Sequence, residues 1–336
     1  MTSENNSLLL NLQEVDKTTG EVVKLDVNST STVQPVALMR LGLFVPTLKS
    51  TGKSKANRKN VTDATEELVQ LSIAKSEGYT DVKITGSRLD MDTDFKVWLG
   101  IIRSMSEYGV KSDPLELSFV EFVKMCGFDS RRSNKKMRDR ISNSLFKLAS
   151  VTLKFQSETK GWTTHLVQSA YYDINEDIVE IKAEPKLFEL YHMDRRVLLR
   201  LKAIDALQRK ESAQALYTYI ESLPQNPAPI SMKRMRERLN LTSNVYTQNH
   251  TVRKAMEQLR DIGYLDYTEF KRGRATYFSV HYRNPKLISG PVKVPRNEEE
   301  EKAPEQNYDE VIKALKAAGI DPLKLAEALS AMKPEN

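Results

Sequence analysis

The sequence predicts an α+β protein in which one supersecondary unit occurs twice along the chain. Each copy consists of a helix, a turn, a second helix with a polar and cationic outer face, and a β-hairpin. In the second helices the apolar residues recur at helical spacing, and the strands that follow alternate apolar and polar side chains. The copies lie about 110 residues apart, and a chain of 336 residues has room for roughly two domains with tails.

The elements of the first half are predicted from capping residues, turn residues and periodicity. The first segment is rich in Ser, Thr and Asn and has no lasting period, so we expect it to be mobile. In chain order we predict this mobile leader (1–34), a basic loop (48–60), a helix capped by Asp63 with Glu66 in the capping-box position and ending at Gly78, a strand (81–86), a helix (91–108), a short strand, a helix from Ser118 to Gly127, a basic helix (131–150) and antiparallel strands over 151–183.

The basic helix over 131–150 has two distinct faces. Its apolar stripe consists of Met137, Ile141, Leu145 and Leu148. On a helical wheel, the opposite face carries Arg132, Lys135, Lys136, Asp139 and Asn143. The face predicted to remain exposed is therefore mostly cationic and rich in hydrogen-bonding groups.

The second copy repeats this order. We predict helices over 185–192, 195–208 and 212–223, a helix capped by Ser231, a helix from Thr247 to Ile262, and strands over 264–270 and 275–283. The long helix is expected to bury Val252, Met256, Leu259 and Ile262 and to expose His250, Lys254, Glu257 and Asp261, with Arg253 at the edge. The hairpin tip "KRGR" consists of Lys271, Arg272, Gly273 and Arg274. Its glycine permits a tight reversal of the chain.

Changes in amino-acid composition along the chain predict the domain boundaries. After the leader, an N-terminal domain is expected over 35–184 and a C-terminal domain over 185–284. A linker rich in proline and glutamate (285–307) and a helical hairpin (308–336) follow. We interpret the terminal hairpin as a capping or solubility element, with docking of a partner as the alternative.

Positive charge is concentrated in the body of the chain. The whole sequence carries +6, but residues 1–34 carry −3 and residues 284–336 carry −2, which leaves +11 for the rest. This balance favours a polyanionic partner, with nucleic acid first and an acidic membrane surface second. The single cysteine, Cys126, excludes an internal disulfide and is expected to be buried, which fits a reducing cytoplasm. No apolar run approaches the roughly 18 residues of a membrane span, and the polar start is unlike a signal peptide.

The residue patterns of common active sites are missing from the sequence. The segment "TGKSK" resembles the end of a phosphate-binding loop, but Thr47 stands where such a loop needs glycine. The histidines are His165, His192, His250 and His281. Their spacing offers no pair for a metal, so a nicking enzyme built on Tyr171 or Tyr172 is only a remote alternative. We therefore expect that the protein is not an enzyme and that it binds no nucleotide, metal or other cofactor.

A helix, a tight turn and a helix with a polar outer face form the arrangement that places a recognition helix in the DNA major groove. A hairpin directly after that helix reaches the neighbouring backbone, so each copy is predicted to be a winged helix with a basic hairpin. The predicted contacts to base edges and flanking phosphates are His250, Arg253, Lys254 and Glu257 in the second copy, and Arg132, Lys135, Lys136, Asp139 and Asn143 in the first. The predicted phosphate contacts of the second hairpin are Lys271, Arg272 and Arg274.

Two recognition helices on one body predict a particular kind of DNA site. They can enter successive major grooves on one face of a duplex, about 10 base pairs apart. Such a protein would read a non-palindromic site of about two helical turns as a monomer. A dimer of single winged helices would instead need a palindrome.

Four strings in this sequence are similar to a known family. They are "QPVALMRLGLFVPTLK", "THLVQSAYYD", "ESAQALYTYIESLP" and "TVRKAMEQLRDIGYLDYTE". They resemble the RepA replication initiators of large enterobacterial plasmids of the IncF (FIB) and IncHI kind, within the wider superfamily of RepB-like initiators. The resemblance covers about residues 34–285, and the leader and tail match less closely.

The resemblance implies a function that the helix pattern alone does not give. Such initiators bind directly repeated origin sites, called iterons, as monomers, help to open the adjacent duplex, and bring in the host initiator and the replicative helicase. As dimers they repress their own promoter or pair origins to limit copy number, and chaperones are among the candidate partners. The N-terminal winged helix would carry much of the dimer contact, and the C-terminal one the main base-reading helix. The implied setting is the bacterial cytoplasm, with no membrane partner.

Two other function classes remain open from the sequence. One is a double winged-helix transcriptional regulator with no role in replication, which would lack an iteron-bearing region beside its gene. The other is the tyrosine-dependent DNA-nicking or recombining enzyme, which would lose activity when Tyr171 and Tyr172 are replaced.

Overall fold

The protein is represented by a computed structural model that describes residues 13–15, 22–24, 27–47, 61–63, 80–109, 113–129, 131, 134–159, 161–173, 175–193 and 196–284. The predicted helix ending at Gly78, the acidic linker and the terminal helical hairpin lie outside these residues. Asp63, predicted to cap that helix, is the last residue of a short strand.

The part of the chain before the first winged unit contains short strands and a long buried helix. Its elements are β1 (Gln13–Val15), β2 (Val22–Lys24), β3 (Ser31–Pro35), α1 (Val36–Arg40), β4 (Phe44–Val45), β5 (Val61–Asp63), β6 (Asp81–Thr85), β7 (Leu89–Asp90) and α2 (Asp94–Tyr108). The predictions of a strand over 81–86 and a helix over 91–108 are confirmed. Phe95, Trp98 and Ile102 of α2 are fully buried, as their helical spacing predicts.

The first winged unit extends from β8 to β12. Its elements are β8 (Leu115–Ser118), α3 (Phe119–Met125), α4 (Lys135–Ser150), β9 (Thr152–Gln156), β10 (Gly161–His165), β11 (Val167–Asp173) and β12 (Ile178–Ala183). Helix α3 starts where the sequence predicts, because the Ser118 side chain accepts a hydrogen bond from the backbone N–H of Glu121 at 3.2 Å.

Four elements connect the two winged units: α5 (Pro185–Met193), β13 (Arg196–Arg200), α6 (Leu201–Ala206) and α7 (Glu211–Glu221). The second winged unit then consists of β14 (Ile230–Ser231), α8 (Met232–Leu239), α9 (Val245–Asp261), β15 (Leu265–Arg272) and β16 (Ala275–Arg283). The predicted cap of α8 is confirmed, since the Ser231 side chain accepts from the backbone N–H of Arg234 at 3.2 Å. Met235 and Leu239 of α8 are buried.

The two winged units have the same sheet topology. The first contains a three-stranded sheet of order β11-β12-β8, and the second a sheet of order β15-β16-β14. In both, the short strand before the helix pair is antiparallel to the second strand of the hairpin that follows it. The prediction of an α+β fold with two tandem winged helices is therefore confirmed.

The hairpin that directly follows α4 is not the wing of the first unit. Strands β9 and β10 belong to a separate four-stranded sheet of order β10-β9-β6-β5. The wing is the next hairpin, β11–β12, and its turn carries Asp173, Glu176 and Asp177. The sequence pattern predicted a basic hairpin in both copies. That expectation is wrong for the first wing, because the β9–β10 hairpin separates it from the basic helix.

A strand pair between distant residues corrects two further predictions. Strand β3 is antiparallel to β13, with Val33 opposite Leu198. The side chains of β3 are buried, so residues 31–34 are not part of a mobile leader. Residues 196–200, predicted within a helix, form a strand because their partner lies about 160 residues earlier, where a local pattern cannot reveal it.

A continuous hydrophobic core lies beneath both winged units. Its main buried polar group, Gln34, is held by two aromatic side chains. The indole N–H of Trp98 and the hydroxyl of Tyr191 both donate to the Gln34 side-chain oxygen, at 3.0 and 3.2 Å. Cys126 is buried as predicted, and a Cβ added at Gly100 would collide with its sulfur. Helices α2 and α3 therefore pack closely at this point.

Arginine side chains connect the second winged unit to the rest of the chain. Arg88 donates to the carbonyls of Asn240 and Pro46 at 2.9 and 2.8 Å. Arg238 of α8 donates to the carbonyl of Met39 at 2.7 Å. Its guanidinium lies where a Cβ at Gly42 would have to fit, so glycine is required there for close packing. These contacts join the second winged unit to the segment of the chain that precedes the first.

Candidate nucleic-acid interface

Helix α9 presents the predicted recognition face of the second unit. It buries Val252, Ala255, Met256 and Leu259. On its outer side, His250, Arg253, Lys254 and Glu257 are all exposed, as predicted. The helix packs on α7 and α8, and the wing β15–β16 follows directly. A recognition helix supported on one side and open on the other can enter a major groove without rearrangement.

Helix α9 starts two residues earlier than the sequence predicted. The Asn244 side chain accepts from the backbone N–H of Thr247 at 2.9 Å, so Asn244 is the N-cap. The Gln248 side chain closes the preceding turn by donating to the carbonyls of Leu241 and Ser243 at 3.1 and 2.6 Å. Val245 therefore lies in the first turn of the helix. The asparagine was the signal that could have revealed this, since Asn is among the best N-cap residues.

Arg253 is paired with a carboxylate of the wing. Its Nε and Nη2 atoms donate to the Glu269 carboxylate at 2.9 and 2.7 Å. These charge-assisted hydrogen bonds raise the pKa of the Arg253 guanidinium above its usual value. The pair joins the outer face of α9 to β15. Arg253 is thus held beside the predicted base-reading face, in an orientation that the wing sets.

A second arginine, in the last turn of the same helix, also contacts the wing. Arg260 donates to the carbonyl of Tyr267 at 2.6 Å, and its guanidinium lies 4.0 Å from the centre of the Tyr267 ring. It also forms an ion pair with Asp266 at 3.2 Å. Two arginines of α9 therefore fix the angle between recognition helix and wing.

The tip of the second wing carries three exposed cations. Lys271, Arg272 and Arg274 are exposed, and none forms an ion pair with another residue in the described part of the chain. Gly273 has φ of +61°, which suits the tight two-residue turn. Three cations at the end of a rigid hairpin form a surface that can bind phosphate oxygens.

In the first unit, α4 presents part of the predicted face. The Asn134 side chain caps the helix by accepting from the backbone N–H of Met137 at 3.1 Å. Lys135, Lys136, Asp139 and Asn143 are exposed, whereas Ile141, Leu145 and Leu148 are buried. Arg132 lies outside the described residues. An aromatic side chain, Phe146, continues the exposed stripe and is 72% exposed.

The other cations of α4 are engaged in contacts within the protein. Arg138 pairs with Asp177 of the wing turn at 2.7 Å and lies 4.3 Å from the centre of the Phe119 ring. Lys147 bridges Asp90 and Asp94 at the start of α2. Burial and the neighbouring Asp90 carboxylate raise the pKa of Asp94 to about 6, against the opposing effect of Lys147. These cations stabilise the fold and are less available to a ligand than Lys135 and Lys136.

The first wing is acidic and aromatic. The Asp173 carboxylate accepts from the backbone N–H groups of Asn175 and Glu176 at 2.7 and 3.1 Å, which lowers its pKa. Tyr171 and Tyr172 are about half exposed on the neighbouring strand, and the Tyr171 hydroxyl donates to Asp173. Neither tyrosine faces a metal site, because no group of metal-ligating side chains occurs among the residues that the structure describes.

The winged helices match a known pair of initiator domains. Residues 92–221 match the domain described as "Initiator Replication protein, WH1", and residues 231–281 match "Initiator Rep protein, WH2". The chain is 58% identical over 291 residues to the RepFIB replication protein A of Escherichia coli (strain K12), covering 85% of this chain and 88% of that protein. The chain belongs to the RepFIB/RepA family of plasmid replication initiators.

Other RepA proteins match over similar lengths. The replication protein RepA of Salmonella typhi is 54% identical over 314 residues, which cover 92% of this chain and 90% of that protein. A protein RepA of Escherichia coli is 47% identical over 266 residues, covering 78% and 91%. Among solved structures, domains 2 and 3 of RctB align with a TM-score of 0.44 at 13% identity, covering 74% of this chain and 98% of that one.

Family membership fits the surface described above. A replication initiator of this family is a DNA-binding protein, and the exposed face of α9 with its cationic wing is a surface suited to DNA. Of the helices in the described ranges, none is long and apolar enough to cross a membrane. The segment resembling a phosphate-binding loop lies outside those ranges.

Proposed function

We propose that this initiator binds iterons in a plasmid origin as a monomer, with the second winged unit reading most of the sequence. The observation that carries the proposal is the pairing of an open polar face on α9 with a cationic wing tip held to it by Arg253 and Arg260. A helix in the major groove with a wing on the adjacent backbone uses both surfaces at once.

Each side chain of the second unit has a proposed role. His250, Lys254 and Glu257 meet base edges or flanking phosphates, with Arg253 oriented by Glu269. Lysine and arginine can bond guanine, and a carboxylate can accept from the cytosine amino group. The wing cations Lys271, Arg272 and Arg274 bind phosphates, which contributes affinity without sequence preference.

The first unit is proposed to add contacts along the same duplex. Lys135 and Lys136 supply phosphate contacts, and Asp139 and Asn143 are placed for base edges. Both recognition helices belong to one body, so the combined site spans about two helical turns without two-fold symmetry. This size suits a directly repeated site better than a palindrome.

The first wing is proposed to face protein rather than DNA. Its carboxylates would repel phosphates, and Tyr171 and Tyr172 are large side chains left exposed on the same wing. These features support the proposal that free protein dimerises through the first unit and, as a dimer, represses its own promoter. Host initiator, replicative helicase and chaperones are further proposed partners, and the chain itself is assigned no catalytic step.

The first test is selection of bound duplexes from random DNA by the purified full chain at about 0.15 M salt, where screening is near physiological. One enriched, non-palindromic motif of about two helical turns supports an iteron-binding monomer. A short palindrome would favour a dimeric repressor, and no enrichment would remove the assignment of sequence reading. Unwinding of an origin plasmid beside its repeats then tests duplex opening separately.

A further inference from the structure

Two adjacent apolar side chains are exposed at the start of the recognition helix. Val245 and Tyr246 are the first two residues of α9 and are 58% and 85% exposed. They form the helix-start pair. Tyr246, His250 and Arg253 occur at i, i+4 and i+7, so Tyr246 lies on the same helix face as the side chains assigned to DNA. None of the residues assigned to DNA so far presents an apolar surface at this end of the helix.

The helix-start pair is held in a defined position. The Asn244 cap fixes the first turn of α9, and Gln248 ties that turn to the preceding loop through two hydrogen bonds. The exposure of Val245 and Tyr246 is therefore a property of an ordered helix start. The N-terminal residues of a recognition helix are those that contact base edges in a helix-turn-helix protein.

The chemistry of the major groove limits what this pair can recognise. Besides hydrogen-bond donors and acceptors, the base edges in that groove present the apolar C5-methyl group of thymine. A valine and the ring of a tyrosine gain by covering a methyl group, because both lose contact with water.

We propose that Val245 and Tyr246 contact thymine methyl groups and so determine base choice at one end of the bound site. The inference rests on the proposed DNA binding by α9 and adds a specificity that polar side chains do not supply. Val245 and Tyr246 would contact two adjacent thymines, and the ring of Tyr246 would make the larger contact.

The test removes one methyl group at a time from the DNA. Thymines in the selected duplex are replaced singly by deoxyuridine, which keeps all hydrogen-bonding groups and lacks only the methyl. Binding of the full chain is then measured by fluorescence anisotropy. Wild-type protein is expected to bind about fourfold more weakly at one or two adjacent positions, as the loss of one buried methyl predicts. Tyr246→Ala should bind the thymine and deoxyuridine duplexes alike at its position, and Tyr246→Phe should keep the difference.

Controls separate this inference from the proposed function. Tyr108→Ala removes an exposed tyrosine that is not among the residues assigned to DNA and should leave the methyl effect intact. The inference is overturned if wild type selects its site but shows no methyl effect, or shows one that persists in both Val245→Ala and Tyr246→Ala. Either result leaves DNA reading by α9 standing. Failure of wild type to select any sequence would instead remove both proposals. Because both side chains are exposed, thermal unfolding of the variants should match wild type.

Discussion

In the second winged unit the turn of the wing is Gly273–Arg274, between Arg272 and Ala275, whereas in the first unit it lies among Asp173, Glu176 and Asp177. Both wings occupy the same place in a three-stranded sheet, and both are tied to their recognition helix by an arginine–carboxylate pair. The shared topology sets where a wing is. Its charge decides whether a phosphate can approach it.

The helices differ less in charge than the wings do, because α9 also has two cations among its four side chains assigned to DNA, and its Arg253 and Arg260 are paired with carboxylates. Two of the four exposed polar side chains assigned to DNA in α4 are cationic, and the further cations Arg138, Arg140 and Lys147 are paired with carboxylates of the protein. Helix α9 has an exposed face that continues to its first residue. The contrast between the wings supports the proposed division of labour, in which the second unit provides most of the DNA affinity and the first provides additional contacts and a protein-facing wing.

The largest effect is expected when the second wing loses its charge. Replacing Lys271, Arg272 and Arg274 together by alanine should weaken binding to all sequences alike, about 100-fold at 0.15 M salt, because each lost phosphate contact gives up about fivefold there. The slope of log K against log salt should flatten by nearly three units. The matched variant in the first wing, Glu176→Gln, should not weaken binding. If the variants of both wings lost DNA affinity equally, the proposed contrast between the wings would be wrong.

A smaller and sequence-dependent effect is expected at the recognition helix. Lys254→Ala should cost about 1–3 kcal/mol at the selected site and relax base choice at one position, as loss of a base or flanking contact does. Lys136→Ala is the matched change on α4 and should cost less. Competition binding with single-base variants of the site measures both. A larger loss of selectivity for Lys136→Ala would reverse the assignment of the main reading helix.

The pair between Arg253 and Glu269 predicts two effects of opposite sign. Glu269→Gln keeps the shape of the side chain but removes its charge, so Arg253 loses the bidentate partner that orients it. Non-specific DNA should bind a few-fold more tightly, because a negative charge is lost beside the wing. Selectivity should fall, because Arg253 is no longer oriented. Filter binding to selected and random duplexes checks this, and a rise in selectivity would contradict it.

The sequence predicted those parts of the fold that depend on local patterns. Ser118 was predicted to start a helix and Ser231 to cap one, and both predictions are confirmed because capping acts within three residues. The outer faces of α4 and α9 followed from periodicity of the buried residues, such as Leu145 and Leu259. The resemblance to RepA initiators is borne out by the comparisons.

The sequence failed where distant residues decide the structure. The sequence pattern predicted a helix over residues 196–200, which form a strand. The prediction was wrong because the strand partner at 31–35 is far away in the chain. The sequence pattern predicted the wrong hairpin as the first wing. In the structure, β11–β12 forms the wing because β12 pairs with β8, whereas β9 pairs with β6 in another sheet. For the candidate site, periodicity predicted which side chains are exposed but not that Arg253 would pair with Glu269. That contact joins a helix to a strand 16 residues further on.

The smallest effect is expected in the first wing. Asp177 has a positive φ of 54°, a backbone region that asparagine tolerates well, so Asp177→Asn removes the charge facing Arg138 without straining the turn. Because the Asp177 side chain is 40% exposed, the free energy of unfolding should fall by only about 0.5–1 kcal/mol in urea titration. DNA affinity should stay the same, since this wing is assigned to protein contacts. If the change instead strengthened DNA binding severalfold, the first wing would have to lie close to phosphates, and the contrast between the units would need revision.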